Sequence, residues 1–394
     1  MKRLKKNAVP SIFPWAKGPV VASGRAERSD RRQRLKAKPT HTVCTSEVLV
    51  VPDIGEQCDI SDTPTESLLS KQTQTDELSK TVRTTDSATD PVRLPTFSVT
   101  KFDHDPAGIH CFTGLETYDK FMFVLCTLGP AAYQLTYMYG PVKDIISVPD
   151  RFFLVLIKLR KHYSNFELSR LFEISVADIY NIFCTWVKFM SLQWREVPLW
   201  ASRDLVRFFS PSGFKDQYPT TRVIIDGTEC PVKKPKLPSA QQSTFSTYKN
   251  RNTVKVLAGI SPGGLCSYMS KAFGGSTSDR QIVERTTLPS MCDPGDSVMS
   301  DKGFDVQDIF APYDVSVNIP TFFSKRNRMS GKTVLHDRKI ASKRVHVERF
   351  IGLAKTYKIL SSPLNTSETM LASEIIFICF MLCNFRSGIV HKDA

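Results

Sequence analysis

Apolar residues follow two rhythms along this chain. In the stretch 118–192 they recur about every third or fourth residue, the period of helices with one buried face. From 223 to 319 they come in short β-branched runs broken by Gly and Pro, the pattern of strands. Residues 118–128 predict a helix stopped by Gly129 and Pro130. Residues 150–163 predict another, with Phe152, Phe153, Leu156, Ile157 and Leu159 on its apolar face. Ser164 is placed to cap a short helix holding Leu168, Leu171 and Phe172, and Ser175 a third with Val176, Ile179, Ile182 and Phe183. Two helices joined by a tight turn around Ile174 have the spacing of a helix-turn-helix, and equally of a packed helical hairpin. If the third helix reads DNA, its exposed candidates are Asp178, Tyr180, Asn181, Thr185 and Lys188. None is Arg, so base reading is expected to be modest.

Beyond Ser210-Pro-Ser-Gly-Phe214 the strand pattern takes over. Residues 223–225, 254–260 and 265–273 predict a three-strand meander turning at Ser261-Pro-Gly-Gly264 and ending at Gly274-Gly275. Asp279 is placed to cap a helix running through Ile282 and Val283. Strands at 297–300 and 315–319 flank a short helix at 305–310, and a long helix at 335–360 closes the order. Its buried stripe is Ile340, Val347, Ile351 and Ala354, and Gly352 is expected to let it approach the sheet. This is the element order of an α/β, RNase H-like mixed sheet with flanking helices, preceded by a small all-α helix-turn-helix region and a disordered N-terminal segment. The expected parts are 1–17, 18–100, 101–200 and 220–390.

In such a sheet the first and fourth strands are neighbours. Asp226 and Asp301, each ending an apolar run, then meet at one edge, and Glu348 reaches them from the border of the closing helix's stripe. Each acid alone also reads as a turn, a strand end or a charged helix step. Together they are the donors for two Mg²⁺ or Mn²⁺ ions about 3.5–4 Å apart that drive in-line displacement at phosphorus. Asp226 is expected to bridge both ions, Asp301 and Glu348 to hold one each, and Asp279 to be a helix cap or a fourth acid. A nucleophilic-Asp reading of Asp226-Gly-Thr needs a second Asp at 224, where this chain has Ile.

Charge narrows the partner. The net charge is +14 over 394 residues. Residues 1–40 hold twelve Lys or Arg against two acids, and 41–100 hold four against ten. A basic arm and a basic globular region around an acidic spacer suit a polyanion, although a basic surface also serves solubility. From 325 to 358 there are eleven Lys or Arg and two acids, Glu348 among them. Lys302, Arg344, Arg349 and Lys355 are therefore candidate phosphate contacts, with Lys249, Arg251 and Lys255 extending the track. A solvated helix face is the alternative. The ten Cys form no C-x-x-C pair and no secretory signal opens the chain, which suits reduced intracellular thiols. The longest apolar run, 375–383, is nine residues, far from the roughly 20 that span a bilayer. From 61 to 90, thirteen of thirty residues are Ser or Thr, too polar to offset the entropy of ordering.

Several motifs resemble known families. Ala8-Val-Pro-Ser-Ile-Phe13 is similar to the closing box of a THAP zinc module, whose Cys and His ligands do not precede it here, so a truncated module and no zinc are expected. Lys71-Gln-Thr-Gln-Thr75 resembles the strand-adding motif read by dynein light chain, with Lys71, Thr73, Gln74 and Thr75 as contacts. Ile225-Asp-Gly-Thr-Glu229, Phe273-Gly-Gly-Ser-Thr-Ser-Asp279, Met299-Ser-Asp-Lys-Gly-Phe304, Asn318-Ile-Pro320 and the run from Ile340 to Arg349 together resemble PIF/Harbinger-like DDE transposases. The branch is the one that often carries a THAP module. The basic Lys325-Arg-Asn-Arg-Met-Ser330 departs from its pattern. The resemblance implies a nuclear protein, acting on double-stranded DNA as a homo-oligomer. Asp226, Asp301 and Glu348 match its Asp-Asp-Glu triad, which cleaves transposon ends and joins the freed 3′-hydroxyl to target DNA. The alternative is a domesticated transposase that binds DNA or protein without cutting.

Overall fold

A computed structural model describes residues 97–142, 146–321, 330–388 and 390, all within one compact unit, Ser87–Ala394. The THAP-like box, the basic arm, the 71–75 motif, residues 325–329 and all of the acidic spacer except 97–100 lie outside the described residues; 97–100 are ordered, with Val99 buried at the start of a helical turn capped by Ser98.

Helices come first: α1 (Pro106–Thr113), α2 (Tyr118–Cys126), α3 (Val148–Lys161), α4 (Asn165–Leu171) and α5 (Val176–Arg195). Each starts at a side-chain cap, since Asp105, Thr117, Ser147, Ser164 and Ser175 each accept from the backbone N–H three residues on. Such a cap contributes about 1 kcal/mol. Glu167 completes a capping box on Ser164. The short α6 (Arg203–Phe209) and α7 (Ser212–Gln217) lead into the sheet region. That region runs β1 (Thr221–Pro231), α8 (Pro238–Thr244), β2 (Phe245–Ser246), β3 (Arg251–Ile260), β4 (Cys266–Met269), β5 (Phe273–Gly274), α9 (Asp279–Glu284), α10 (Leu288–Met291), β6 (Ser297–Met299), α11 (Gln307–Phe310) and β7 (Ser316–Asn318). Helices α12 (Gly331–Ala354), α13 (Thr366–Met370) and α14 (Ala372–Asn384) close the chain. Among the described residues no helix is long and apolar enough to cross a membrane.

The strand order is β2-β3-β1-β6-β7, with β4 and β5 also pairing β3. β1 and β3 are antiparallel; β1 with β6 and β6 with β7 are parallel, as an RNase H-like mixed sheet requires. Alternation along the strands feeds two cores. Ile224, Val256, Ala258 and Met299 join Val347 and Ile351 of α12, α14, and the aromatic interior of α3 and α5. On the other face Val223, Ile225, Leu257 and Val298 pack with Ile282, Val283, Phe304 and Phe310.

Four expectations are corrected. β1 runs eleven residues rather than three, because Gly227 breaks the apolar pattern but not the ladder with β3. The third meander strand divides into β4 and β5. Ser278, not Asp279, caps α9, through a capping box with Gln281. Gly352 is exposed, and a Cβ there would meet nothing within 4 Å, so it does not bring α12 closer to the sheet. His346, buried, does more: its Nδ1 lies 3.3 Å from the Pro262 carbonyl and its ring meets the edge of Phe214.

A buried ion cluster ties the helical region to the last helices. Glu368 of α13 lies 3.2 Å from both Lys158 Nζ and His162 Nε2, with all three side chains largely buried. Burial opposes its ionisation, but the His162 hydrogen bond and the Lys158 charge prevail and hold the carboxyl down at about 2. Its contribution is present above the unfolded value near 4.5 and is lost as pH falls from there towards 2. Glu368→Gln is expected to cost roughly 3–5 kcal/mol at neutral pH by leaving Lys158 buried without its counter-charge. Urea unfolding should show the deficit at pH 7 and its convergence with wild type in acid; equal stability at pH 7 would refute the clamp.

Candidate functional site

Ile224 of β1 pairs in parallel with Met299 of β6, and Asp226 and Asp301 each lie two residues further on. Strands about 4.8 Å apart set the two acids side by side. Alternation turns Asp226 to the face of Ile224, against which α12 packs. Val347 goes into that core and Glu348, next to it, stays half exposed. One turn earlier Arg344 reaches both remaining acids: Nη1 is 3.3 Å from Asp301 Oδ1 and Nη2 is 2.8 Å from Glu348 Oε1. Only 13 % of its side chain is exposed.

The charges of Arg344, Asp301 and Glu348 all reach Asp226. Burial pushes Asp226 up to about 6, the Arg344 charge and the Gly227 N–H pull it back, and Asp301 and Glu348 push it further up. Among the described residues no three His, Cys, Asp or Glu side chains gather tightly enough to hold a metal ion. Arg344 bridges two of the three acids there. Carboxylate oxygens are the donor chemistry that Mg²⁺ takes.

Asp279 goes elsewhere. Gly227 turns to the opposite face from Asp226, and a Cβ on it would stand 2.6 Å from Asp279 Oδ1. There Lys255 sits 3.5 Å from Asp279 and 3.6 Å from Glu229, which also accepts from Ser246 and Thr253. Asp279 is thus a partner of Lys255 across the sheet from Asp226, and Lys255, largely buried, is spent in this cluster rather than exposed to a phosphate. The spacing of Glu229 and Lys255 gives no hint of this, because their contact depends on the β1–β3 register.

The basic candidates divide likewise. Arg349 is exposed; Lys302 and Lys355 are half buried, Lys355 at the end of α12. Lys249 and Arg251 are exposed on the β2–β3 hairpin, away from the acids. On α5 two reading candidates are corrected. Asn181 accepts from the Tyr139 N–H at 3.0 Å and donates to the Gly140 carbonyl at 2.9 Å, while Thr185 accepts from the Met138 N–H at 3.1 Å. Both are buried by the segment they hold. Tyr180 rests against Tyr139, Asp178 accepts from the Ser175 cap, and Lys188 is exposed.

Because Asp226 ionises at a cost in the folded chain, Asp226→Asn is expected to stabilise it by up to about 3 kcal/mol near pH 8. The gain should shrink as pH falls from about 6 towards 4, where the wild-type acid is protonated in both states. Thermal unfolding across that range checks it, and a difference independent of pH would contradict the raised value of Asp226.

Two families of known proteins match parts of the chain. Residues 225–384, from β1 through α14, match the DDE superfamily endonuclease, and residues 145–194, covering α3 to α5, match the helix-turn-helix of DDE superfamily endonuclease. No curated protein and no solved structure matches. A helix-turn-helix followed by an endonuclease segment implies DNA binding, and the two matches in this order support a DDE transposase.

Proposed function

We propose that this chain is a divalent-metal-dependent DNA endonuclease and strand transferase in which Asp226, Asp301 and Glu348 are the catalytic carboxylates. The observation that supports the reading is the placement of Asp226 and Asp301 at matching positions beyond β1 and β6, with Glu348 joined to Asp301 through Arg344, inside the segment similar to the DDE superfamily endonuclease. Held by these three acids, Mg²⁺ or Mn²⁺ ions would activate the attacking oxygen and neutralise charge on the leaving one.

The first displacement is hydrolysis. Water attacks phosphorus, the bond to the 3′-oxygen breaks, and that oxygen leaves as a 3′-hydroxyl. In the second, this hydroxyl attacks a phosphodiester of target DNA, making one P–O bond as another breaks. Neither needs an oxidant or a covalent enzyme intermediate. The protein's own part is to hold the three oxygen donors at one edge, to lay the DNA backbone along Arg349, Lys302 and Lys355, and to free Arg344 towards a phosphate. The motifs from Ile225 to Arg349 favour the PIF/Harbinger-like branch, a nuclear protein working on double-stranded DNA as a homo-oligomer.

The Arg344 ion pairs favour a second reading, a domesticated protein that binds DNA without cutting, since they satisfy two of the acids with no metal at all. Nicking of supercoiled plasmid in Mg²⁺ or Mn²⁺ separates the two. Asp226→Asn, Asp301→Asn and Glu348→Gln are each expected to lower the rate roughly a thousandfold, the scale of a lost metal contact to the transition state. Plasmid binding without nicking by the wild type, in both metals, would reject the endonuclease and leave the second reading.

A further inference from the structure

We infer that the β2–β3 hairpin is a second DNA site, one that takes unpaired nucleotides, with Tyr248 stacking on a base and Lys249 and Arg251 holding the phosphates beside it. This deepens the DNA reading above and rests on it.

The hairpin is built firmly and shows its aromatic outward. Phe245 pairs with Asn252 and Ser246 with Arg251, leaving the loop Thr247-Tyr248-Lys249-Asn250. Ser246 Oγ accepts from the Lys249 N–H at 3.2 Å and donates to Glu229 at 3.1 Å, and Asn250 turns the chain at a φ of 50°. Asn252 ties the base to α8 by donating to the Gln241 carbonyl and to Thr244 Oγ1. On this fixed tip Tyr248 is 84 % exposed. Lys249 Nζ lies 4.4 Å from the centre of its ring, and no described ring stacks on it. An aromatic with one face towards a cation and the other towards water is a platform for a base, which any nucleotide can occupy because stacking does not read sequence.

Charge agrees. Residues 232–252 contain Lys233, Lys234, Lys236, Lys249 and Arg251 and no acid, and all five are exposed. None forms an ion pair with another described residue. Beside the tip lies an open cleft of about 790 Å³, bordered by Lys234, Gln241, Thr247, Asn250 and Arg251. That volume is in the range of small-ligand sites, and a lining that mixes the apolar Val232, Pro238 and Phe245 with amides and two cations suits the flat face, polar edge and phosphate of a nucleotide. A duplex hides its base faces, so the ring can be used only where bases are unpaired, at a tail, a gap or a frayed end.

The register gives the reach. Asp226 pairs with Ala258, and Arg251 lies seven residues before it on β3. That is ~23 Å of extended strand, about seven nucleotide steps of DNA. A strand with its reacting phosphate at the acids would therefore bring flanking nucleotides to the tip.

Fluorescence anisotropy in EDTA, where nothing is cut, tests this with a blunt duplex, the same duplex carrying a seven-nucleotide single-stranded tail, and the tail alone. Wild type is expected to prefer the tailed duplex. Tyr248→Ala should lose roughly 5–150-fold on tailed and single-stranded probes and less than about twofold on the blunt duplex, while Tyr248→Trp keeps the preference. Lys249→Ala with Arg251→Ala should weaken all three probes and flatten the salt dependence. A 2-aminopurine in the tail should be quenched by wild type and not by Tyr248→Ala. Equal losses on blunt and tailed duplexes, no loss at all, or tighter binding of an RNA tail would overturn the inference. Plasmid nicking by Tyr248→Ala is read separately, so failure of the endonuclease reading leaves the binding result intact.

Discussion

Three carboxylates in one half-buried corner repel one another, and most of the sheet's architecture serves to keep them there. The parallel pairing of β1 with β6 puts Asp226 and Asp301 at matching positions on neighbouring strands. The core under α12, with Val347, Phe350 and Ile351 buried and His346 pinned beside the Pro262 carbonyl, prevents Glu348 from drifting away. Without a cation such a corner is unstable, and Arg344 supplies one from within the same helix. A residue that stabilises the empty corner also competes for the place that a metal and a phosphate would take. Under the endonuclease reading proposed above, stability and activity would therefore be opposed at this site.

What was legible in the sequence was what depends on near neighbours. Ser164 and Ser175 announced the helices they cap, because a cap is a contact across three residues. The β-branched runs announced β1, β3 and β6, and their order announced the sheet, because parallel neighbours need a crossover and antiparallel ones a turn. The positions of Asp226 and Asp301 followed from that order alone. Arg344 was read only as a phosphate contact; its pairing with Glu348, four residues on, and its reach to Asp301 came from the fold.

What was not legible depends on which face a residue takes in three dimensions. Asp279 looked like a companion of Asp226, yet Gly227 separates them by one step of the pleat and so by the thickness of the sheet. Asn181 and Thr185 looked like groove-facing polar residues on α5, yet they bind backbone groups of the exposed segment 138–140. Gly352 looked like a close-approach glycine on helical spacing alone and faces solvent. The hairpin carrying Tyr248 could not be read at all, since β2 is two residues long and offers no period.

These burials bear on how the protein could tell one DNA from another. With Asn181 and Thr185 committed inward and Tyr180 against Tyr139, α5 keeps its first turn, Lys188 and the residues Leu192, Gln193 and Arg195 of its last turn towards solvent. That surface can meet a phosphate, and its exposed amide and guanidinium, Gln193 and Arg195, sit in the last turn, away from the N-terminal residues of a recognition helix that reach base edges. The basic residues around the acids are likewise suited to backbone, which every duplex shares. Discrimination can also come from the shape of the DNA, including where it is unpaired. Glu229 is the element that joins the two ends of that argument: it lies on the same strand as Asp226, three residues on, and its carboxylate holds both Ser246 and Thr253 at the base of the hairpin. The strand that carries Asp226 is thereby joined through one carboxylate to the base of the hairpin inferred above to meet unpaired bases.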